Sequence, residues 1–240
     1  MQRDVPATIL EKMMKIEIWS DYACPYCYIG KRYMEQALAE FKHADDVEVI
    51  FKVFELDPSA STTVETTTLE RIEHKYRKNR AQAQEMIDSI VSMGAGVGLD
   101  MRYDSVNFTN TFDAHRLTKF AEAKGKGAVM SERLFRAYFT DNLPLADHIV
   151  LTNIAVELGL DRQETEAMLA SDAFEQAARE DEIKASKMGI NSVPHFVIDG
   201  KQTLVGAQPK EYLLAALHQL WAKRETDLIP GISCGIRECN

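Results

Sequence analysis

The 240-residue sequence predicts an α/β fold in which a small mixed sheet is interrupted by an all-helical insertion. Three observations carry that prediction. A strand, a helix and a second strand follow one another early in the chain, a long stretch of helical periodicity with no convincing strand comes next, and a β-hairpin followed by a helix completes the pattern. The composition, 45% hydrophobic and 27% charged, suits a globular protein with a sizeable core.

Residues 15–20, "KIEIWS", alternate polar and apolar as a strand does. They run into "CPYC", after which Ile29, Tyr33, Ala37 and Phe41, with Met34 and Leu38 beside them, recur at helical spacing. Pro25 suits the first turn of that helix because its missing N–H would have no partner there. "VEVIFKVFEL" (47–56) is rich in β-branched and aromatic residues and reads as a buried strand. Strand, helix and strand form a βαβ unit, for which a right-handed crossover is expected.

From about residue 65 the period is helical. Thr67 and Glu70 make a capping box, with Leu69, Ile72, Tyr76, Met86, Ile90 and Met93 on the core face, "GAGVG" (94–98) as the stop and "HKYRKNR" (74–80) as a solvated face. Further helices are expected around 110–124, 128–140, 147–158, 161–170 and 172–188. Asp147, Asp161 with Glu164, and Ser171 mark starts, and Gly159 and Gly189 mark stops. In "VPHFVIDGKQTLVGA" (193–207) two short strands flank an Asp199-Gly200 turn. An amphipathic helix follows from Pro209 to about Lys223, with Leu213, Leu214, Leu217, Leu220 and Trp221 on its apolar face. The division expected is an N-terminal extension (1–13), a discontinuous α/β domain (14–64 plus 189–224), a helical insertion (65–188) and a C-terminal tail (225–240).

The balance of 28 basic against 37 acidic side chains, a formal net charge of −9, argues against nucleic acid or an anionic membrane as partner. No basic segment followed by an apolar run opens the sequence, and no stretch approaches the roughly 20 apolar residues that cross a bilayer. The expectation is a cytoplasmic protein. Its four cysteines stand as two pairs, Cys24 with Cys27 and Cys234 with Cys239. In a reducing compartment such clustering indicates catalysis or metal binding rather than a disulfide scaffold.

A cysteine attacks a disulfide as its thiolate, so a redox site must favour the anion and keep the sulfur reachable. The start of a helix does both, through unpaired N–H groups and the helix dipole. Cys24 is therefore the expected nucleophile. Cys27, one turn later, is the expected resolving thiol and the more buried of the two. Pro194 precedes a strand to which it can donate no hydrogen bond. A cis Val193–Pro194 bond would turn the backbone of Val193 toward the cysteines, where it can pair with a substrate peptide. A competing reading joins all four cysteines in one zinc site.

Other residues stay open between two roles. Tyr26 is placed to flank the sulfur pair and touch substrate. Asp21 either tunes Cys24 or is simply solvated. His195 either meets substrate or is an ordinary partly buried histidine, and His115 either lines a cleft or packs. The CX₄C spacing of Cys234 and Cys239 permits a local disulfide, a relay to Cys24 and Cys27, or a metal.

Without the helical block the order is β-α-β-β-β-α, the minimal thioredoxin arrangement, and the block between the second and third strands resembles the DsbA branch. More closely, "WSDYACPYCYIGKRYME", "NTFDAHRL" (110–117) and "GINSVPHFVIDGKQTLVGAQP" resemble the FrnE-type DsbA oxidoreductases over about residues 15–222. The resemblance implies thiol-disulfide exchange with Cys24 as nucleophile, Cys27 as resolver and Pro194 as cis-proline. It implies no tightly bound cofactor and no metal, with protein or small-molecule thiols and disulfides as partners. The Pro25-Tyr26 dipeptide is similar to that of glutaredoxins, which implies a moderate redox poise and glutathione as a co-substrate. Two alternatives stand beside this. One is a glutathione-dependent isomerase or transferase like the 2-hydroxychromene-2-carboxylate isomerases and kappa-class transferases, which typically have serine where Cys24 stands. The other is a zinc-binding interaction module. Oligomeric state and the direction of exchange are open.

Overall fold

The structure, a computed structural model, describes residues 13–228. Its four strands are β1 (Met14–Ser20), β2 (Val47–Val53), β3 (His195–Ile198) and β4 (Gln202–Val205), in the order β2-β1-β3-β4. Nine α-helices occur among the described residues: α1 (Pro25–Glu40), α2 (Thr68–Tyr76), α3 (Arg80–Gly96), α4 (Phe112–Ala123), α5 (Gly127–Phe139), α6 (His148–Glu157), α7 (Arg162–Leu169), α8 (Glu175–Lys187) and α9 (Lys210–Leu228). Helices α2 to α8 form the all-helical insertion between β2 and β3. The fold class is thus α/β, thioredoxin-like with a helical insertion.

β1 and β2 pair in parallel from Met14 opposite Val47 to Ser20 opposite Val53, as a βαβ unit requires. β3 runs antiparallel to β1, with Ile16 opposite Ile198 and Trp19 opposite His195. β3 turns back into β4 through Asp199 (φ 51°) and Gly200 (φ 65°), the two left-handed residues of a tight hairpin. Asp199 Oδ1 also accepts the Lys15 N–H at 2.8 Å, which ties the turn to the start of β1. β2 departs from the sequence reading. It ends at Val53 and lies at the sheet edge, so only Phe51 and Val53 are buried along it. An edge strand has a single ladder neighbour; the Val53 N–H donates instead to Asp181 Oδ2 of α8 at 3.2 Å, and Lys52, in register with Trp19, reaches Asp181 Oδ1 at 2.9 Å.

One face of the sheet packs Ile16, Ile18, Phe196, Ile198 and Leu204 against Met34 and Ala37 of α1 and Leu213 and Leu217 of α9. The other face presents Trp19 and Val197 to Ala185 of α8 and to Ile190. Each fully buried Ile, Leu, Val, Phe or Met among these contributes roughly 1.5–3 kcal/mol from apolar area removed from water. The largest core belongs to the insertion, and it takes in the start of α1: Tyr22, Cys24, Cys27, Tyr28 and Ile29 pack with Leu117, Phe135 and Phe139. Helix α1 is further tied to α5 through Glu132, which accepts from Tyr28 Oη at 3.0 Å, from Arg32 at 2.8 Å and from the buried Lys31.

The Thr67–Glu70 capping box opens α2 as expected. The single helix predicted from there to Gly94 is instead two. Arg77 adopts a left-handed conformation (φ 51°), and Asn79 opens α3 with a second capping box, accepting from Gln82 N at 2.9 Å while Gln82 Oε1 accepts from Asn79 N at 3.2 Å. Asp147 and Asp161 cap α6 and α7 as expected. Ser171 does not start α8, which begins after Phe174 without a side-chain cap. Ser171 closes α7 instead, its hydroxyl donating to the Met168 carbonyl at 3.0 Å, and Arg116 gathers the carbonyls of Met168, Ser171 and Ala173. Helix α9 continues past Lys223 to Leu228.

Candidate active site

Cys24 is the N-cap of α1, in extended backbone (φ −96°, ψ 111°), and Pro25 follows in the first turn. No side chain caps this helix, so the positive end of α1 lies open at the cysteine. Cys24 N donates to Asp21 O at 3.0 Å and its carbonyl accepts from Cys27 N at 3.0 Å, which fixes the turn carrying both thiols. Both are free thiols. Exposure separates them little, at 4% for Cys24 and 2% for Cys27, a smaller contrast than the sequence suggests. Position separates them more: Cys24 lines a cavity and Cys27 lies behind it. Burial pushes the Cys27 thiol well above its ordinary range, and the hydrogen bond and charge of Cys24 push the same way.

The Cys24 thiol donates to the Val193 carbonyl at 3.7 Å, and the Val193–Pro194 peptide bond is cis. The loop is held on both sides. Pro194 O accepts from Gly206 N at 2.8 Å, and the proline ring lies against Gly30 of α1, where an added Cβ would stand 2.9 Å from Pro194 Cγ. Gly30 carries no signal in the sequence, since its need is set by a segment far away in the chain.

Asp21 is 1% exposed, which rules out simple solvation. It accepts from Leu56 N at 2.7 Å, Ala23 N at 3.1 Å and Thr111 Oγ1 at 2.8 Å. His115 Nε2 stands 3.7 Å from Oδ1, in ion-pairing rather than hydrogen-bonding range. Burial alone would raise the Asp21 pKa, but His115 and the two backbone N–H groups outweigh it and hold the carboxyl below its ordinary value. Thr111 and His115 both come from "NTFDAHRL", so this segment's proximity to the cysteines has a structural reason. His115 packs beneath the site against Tyr22, ring centroids 4.7 Å apart, and does not line the cavity.

The cavity, about 600 Å³, opens between the start of α1 and the insertion, a volume within the range of small-molecule sites. Cys24, Pro25 and Tyr26 form one wall, and Ile72, Tyr76, Met86, Ile90, Tyr103 and Phe108 line much of the rest. Tyr26 is 39% exposed at the mouth, and partial burial raises its phenol pKa. Two readings gain detail here. His74 and Lys75, exposed as the sequence suggests, also line the cavity together with Arg71. Ile90 is core as expected and Met86 packs against that core, and both also line the cavity; Met93, at 36% exposed, departs from the core reading. Arg71, Tyr103 and Phe108 were not legible as site residues, because nothing in their local pattern marks which helix or loop faces the cysteines.

His195 begins β3, paired with Trp19 and Val205, and is not among the residues lining the cavity. Its Nδ1 is buried without a partner, and burial lowers its pKa. Val193 is partly buried against the core beneath the sheet. Among the described residues no group of three or more His, Cys, Asp or Glu is placed to hold a metal ion. Cys234 and Cys239, and with them the four-cysteine zinc reading, lie outside the described residues.

A family model for the DSBA-like thioredoxin domain matches residues 15–218. The chain belongs to this family. Among solved structures, the DSBA-like chain is similar to a probable DsbA oxidoreductase from Streptomyces coelicolor, with 37% identity, a TM-score of 0.85, and 95% of this chain and 96% of the other covered. It is 28% identical over 204 residues to the uncharacterized protein YwbO of Bacillus subtilis, covering 84% of this chain and 94% of that one. The cytosolic disulfide reductase DsbM of Pseudomonas aeruginosa, solved with GSH, shares the fold at 20% identity and a TM-score of 0.59, covering 86% and 99%. The match takes in the CPYC turn, where Cys24 meets a cavity rather than open solvent.

Proposed function

We propose that this DSBA-like protein is a thiol-disulfide oxidoreductase of the FrnE type, working through Cys24 and Cys27. The observation that carries the reading is the meeting of three parts at one sulfur: the helix N-cap, the Val193 carbonyl 3.7 Å away ahead of cis Pro194, and the cavity mouth. In the reducing direction the Cys24 thiolate attacks one sulfur of a substrate disulfide. The substrate S–S bond breaks, one substrate thiolate leaves and takes a proton, and a mixed disulfide remains on Cys24. Cys27 then loses its proton and attacks the Cys24 sulfur, releasing the second substrate thiol and leaving a Cys24–Cys27 disulfide. Two electrons pass from the dithiol to the substrate, and the reverse sequence oxidises a dithiol.

Pro194, Val193, Pro25 and Tyr26 serve this reading as the groups that position substrate beside Cys24. His195 is a secondary contact in it. The reading places the protein in the cytoplasm, with glutathione as a co-substrate, no tightly bound cofactor, and the cavity between residues 14–64 plus 189–224 and an insertion of residues 65–188. No helix among the described residues is long and apolar enough to cross a membrane. The test is reduction of insulin and refolding of a scrambled disulfide protein, wild type against Cys24→Ser. Loss of both activities in the variant is expected, and equal activity in the two proteins would overturn the proposal.

A further inference from the structure

Arg71 projects from the first turn of α2 into the cavity that holds Cys24. Its guanidinium carbon lies 3.9 Å from the centroid of the Phe108 ring, which also lines the cavity. No carboxylate among the described residues pairs with it, and its Nε is buried without a hydrogen-bond partner. A buried guanidinium N–H with no acceptor forfeits its hydration without recompense, so such a group is normally matched by an anion. The surroundings point the same way. In a chain whose formal charge is −9, the cavity is lined by Arg71, His74 and Lys75 against a single acid, Asp57. The cation of Arg71 also reaches the phenols of Tyr103 and Tyr138, but neither supplies negative charge, since burial holds Tyr103 up at about 12 and Tyr138 higher still.

The remaining walls are apolar and aromatic: Tyr26, Tyr76, Met86 and Phe108. Cys24 is only 4% exposed, so a disulfide on the surface of a folded protein would have to leave its own surface to meet it. A small molecule that enters a cavity of about 600 Å³ has no such obstacle.

We infer that the cavity selects a low-molecular-weight disulfide carrying a carboxylate on an apolar or aromatic body, and that Arg71 is the residue that recognises the carboxylate. The inference rests on the exchange chemistry proposed above and specifies its substrate class. Bidentate pairing of the planar guanidinium with a carboxylate orients the substrate so that its disulfide faces Cys24. The exchange balances as before: one anionic disulfide and the reduced dithiol give two anionic thiols and the Cys24–Cys27 disulfide.

The test is single-turnover reaction of the reduced full-length protein with two aromatic disulfides, dithiobis-nitrobenzoate, which is anionic, and dithiodipyridine, which is neutral. The readout is the ratio of the anionic rate to the neutral rate, which cancels general damage to the thiol or the fold. Arg71→Gln is expected to lower that ratio by about tenfold, the size of a charge-assisted hydrogen-bonded pair, and Arg71→Lys to retain part of it. A ratio unchanged in Arg71→Gln, or insulin reduction that falls in that variant as steeply as the anionic reaction, would overturn the assignment. Failure of the wild-type protein to reduce even the neutral disulfide through Cys24 would instead overturn the exchange chemistry itself.

Discussion

Gly30→Ala tests whether the loop carrying Pro194 must sit against α1 for the site to work. An added Cβ would lie 2.9 Å from Pro194 Cγ, 3.4 Å from Phe196 Cζ and 3.5 Å from Ala207 Cα. Carbon atoms in good contact stand about 3.5–4.0 Å apart, so the proline ring must retreat by at least ~0.6 Å. It has no flexible end with which to do so, and the displacement passes to the loop and to Val193, whose carbonyl is 3.7 Å from Cys24 Sγ. The stability terms partly cancel. Overpacking costs about 1–3 kcal/mol. Replacing glycine within a helix returns up to ~1 kcal/mol. A net loss of roughly 0–2 kcal/mol is expected by urea denaturation. Activity should suffer more than stability, because misplacing a reacting geometry by about 1 Å can cost 100-fold, and about half that shift should lower kcat/KM for disulfide reduction about tenfold. Gly96→Ala in α3 is the control, with nothing within 4 Å of its added Cβ and the same change of residue. A Gly30→Ala protein that reduces disulfides within about twofold of wild type would refute the reasoning that this contact sets the active geometry.

Cys27→Ser is expected to halt exchange after the first step and accumulate a covalent adduct on Cys24, seen by intact mass and released by dithiothreitol; adduct formation on a Cys24→Ser protein would reverse the assigned roles. Because burial pushes the Cys27 thiol well above its ordinary range, release of substrate in the wild type should keep accelerating as the solution is made more alkaline, and a flat profile would count against Cys27 as resolver. Asp21→Asn replaces one acceptor oxygen with a donor amid three received hydrogen bonds and should cost about 1–3 kcal/mol at neutral pH. Since the Asp21 pKa is held below 3.8, its contribution is full above the unfolded value and is lost as pH falls through the lowered one. The stability gap between wild type and Asp21→Asn should therefore shrink only below about pH 4, and a gap that narrows between pH 5 and 8 would point to a different group.

The Cys24-Pro25-Tyr26-Cys27 turn, the strands around it, the Thr67–Glu70 box and the Asp199-Gly200 hairpin were legible because each is set by neighbours within a few residues, through periodicity, capping and turn conformation. The order β-α-β, helices, β-hairpin-α followed from the same signals. The break at Arg77 was not legible, because Ile72 and Tyr76 continue in phase with Met86 and Ile90 even though the chain reopens at Asn79. Ser171 looked like a start because a serine ahead of a helical stretch fits a cap, but Arg116, from another helix, collects the carbonyls there and makes it a stop.

What tertiary structure alone decided is which distant surfaces meet. The sequence determined by itself that two thiols stand one turn apart at a helix start, with a Val-Pro pair ahead of a later strand. Only the folded chain brings the Val193 carbonyl to Cys24, buries Asp21 under Thr111 and His115, requires Gly30 to make room for Pro194, and turns Arg71 of a polar-looking helix into a cavity wall. Local propensity acts over a few residues, whereas contacts such as those of Cys24 with Val193, 169 positions on, and Asp21 with Thr111, 90 positions on, depend on how distant segments pack, and no local pattern encodes that.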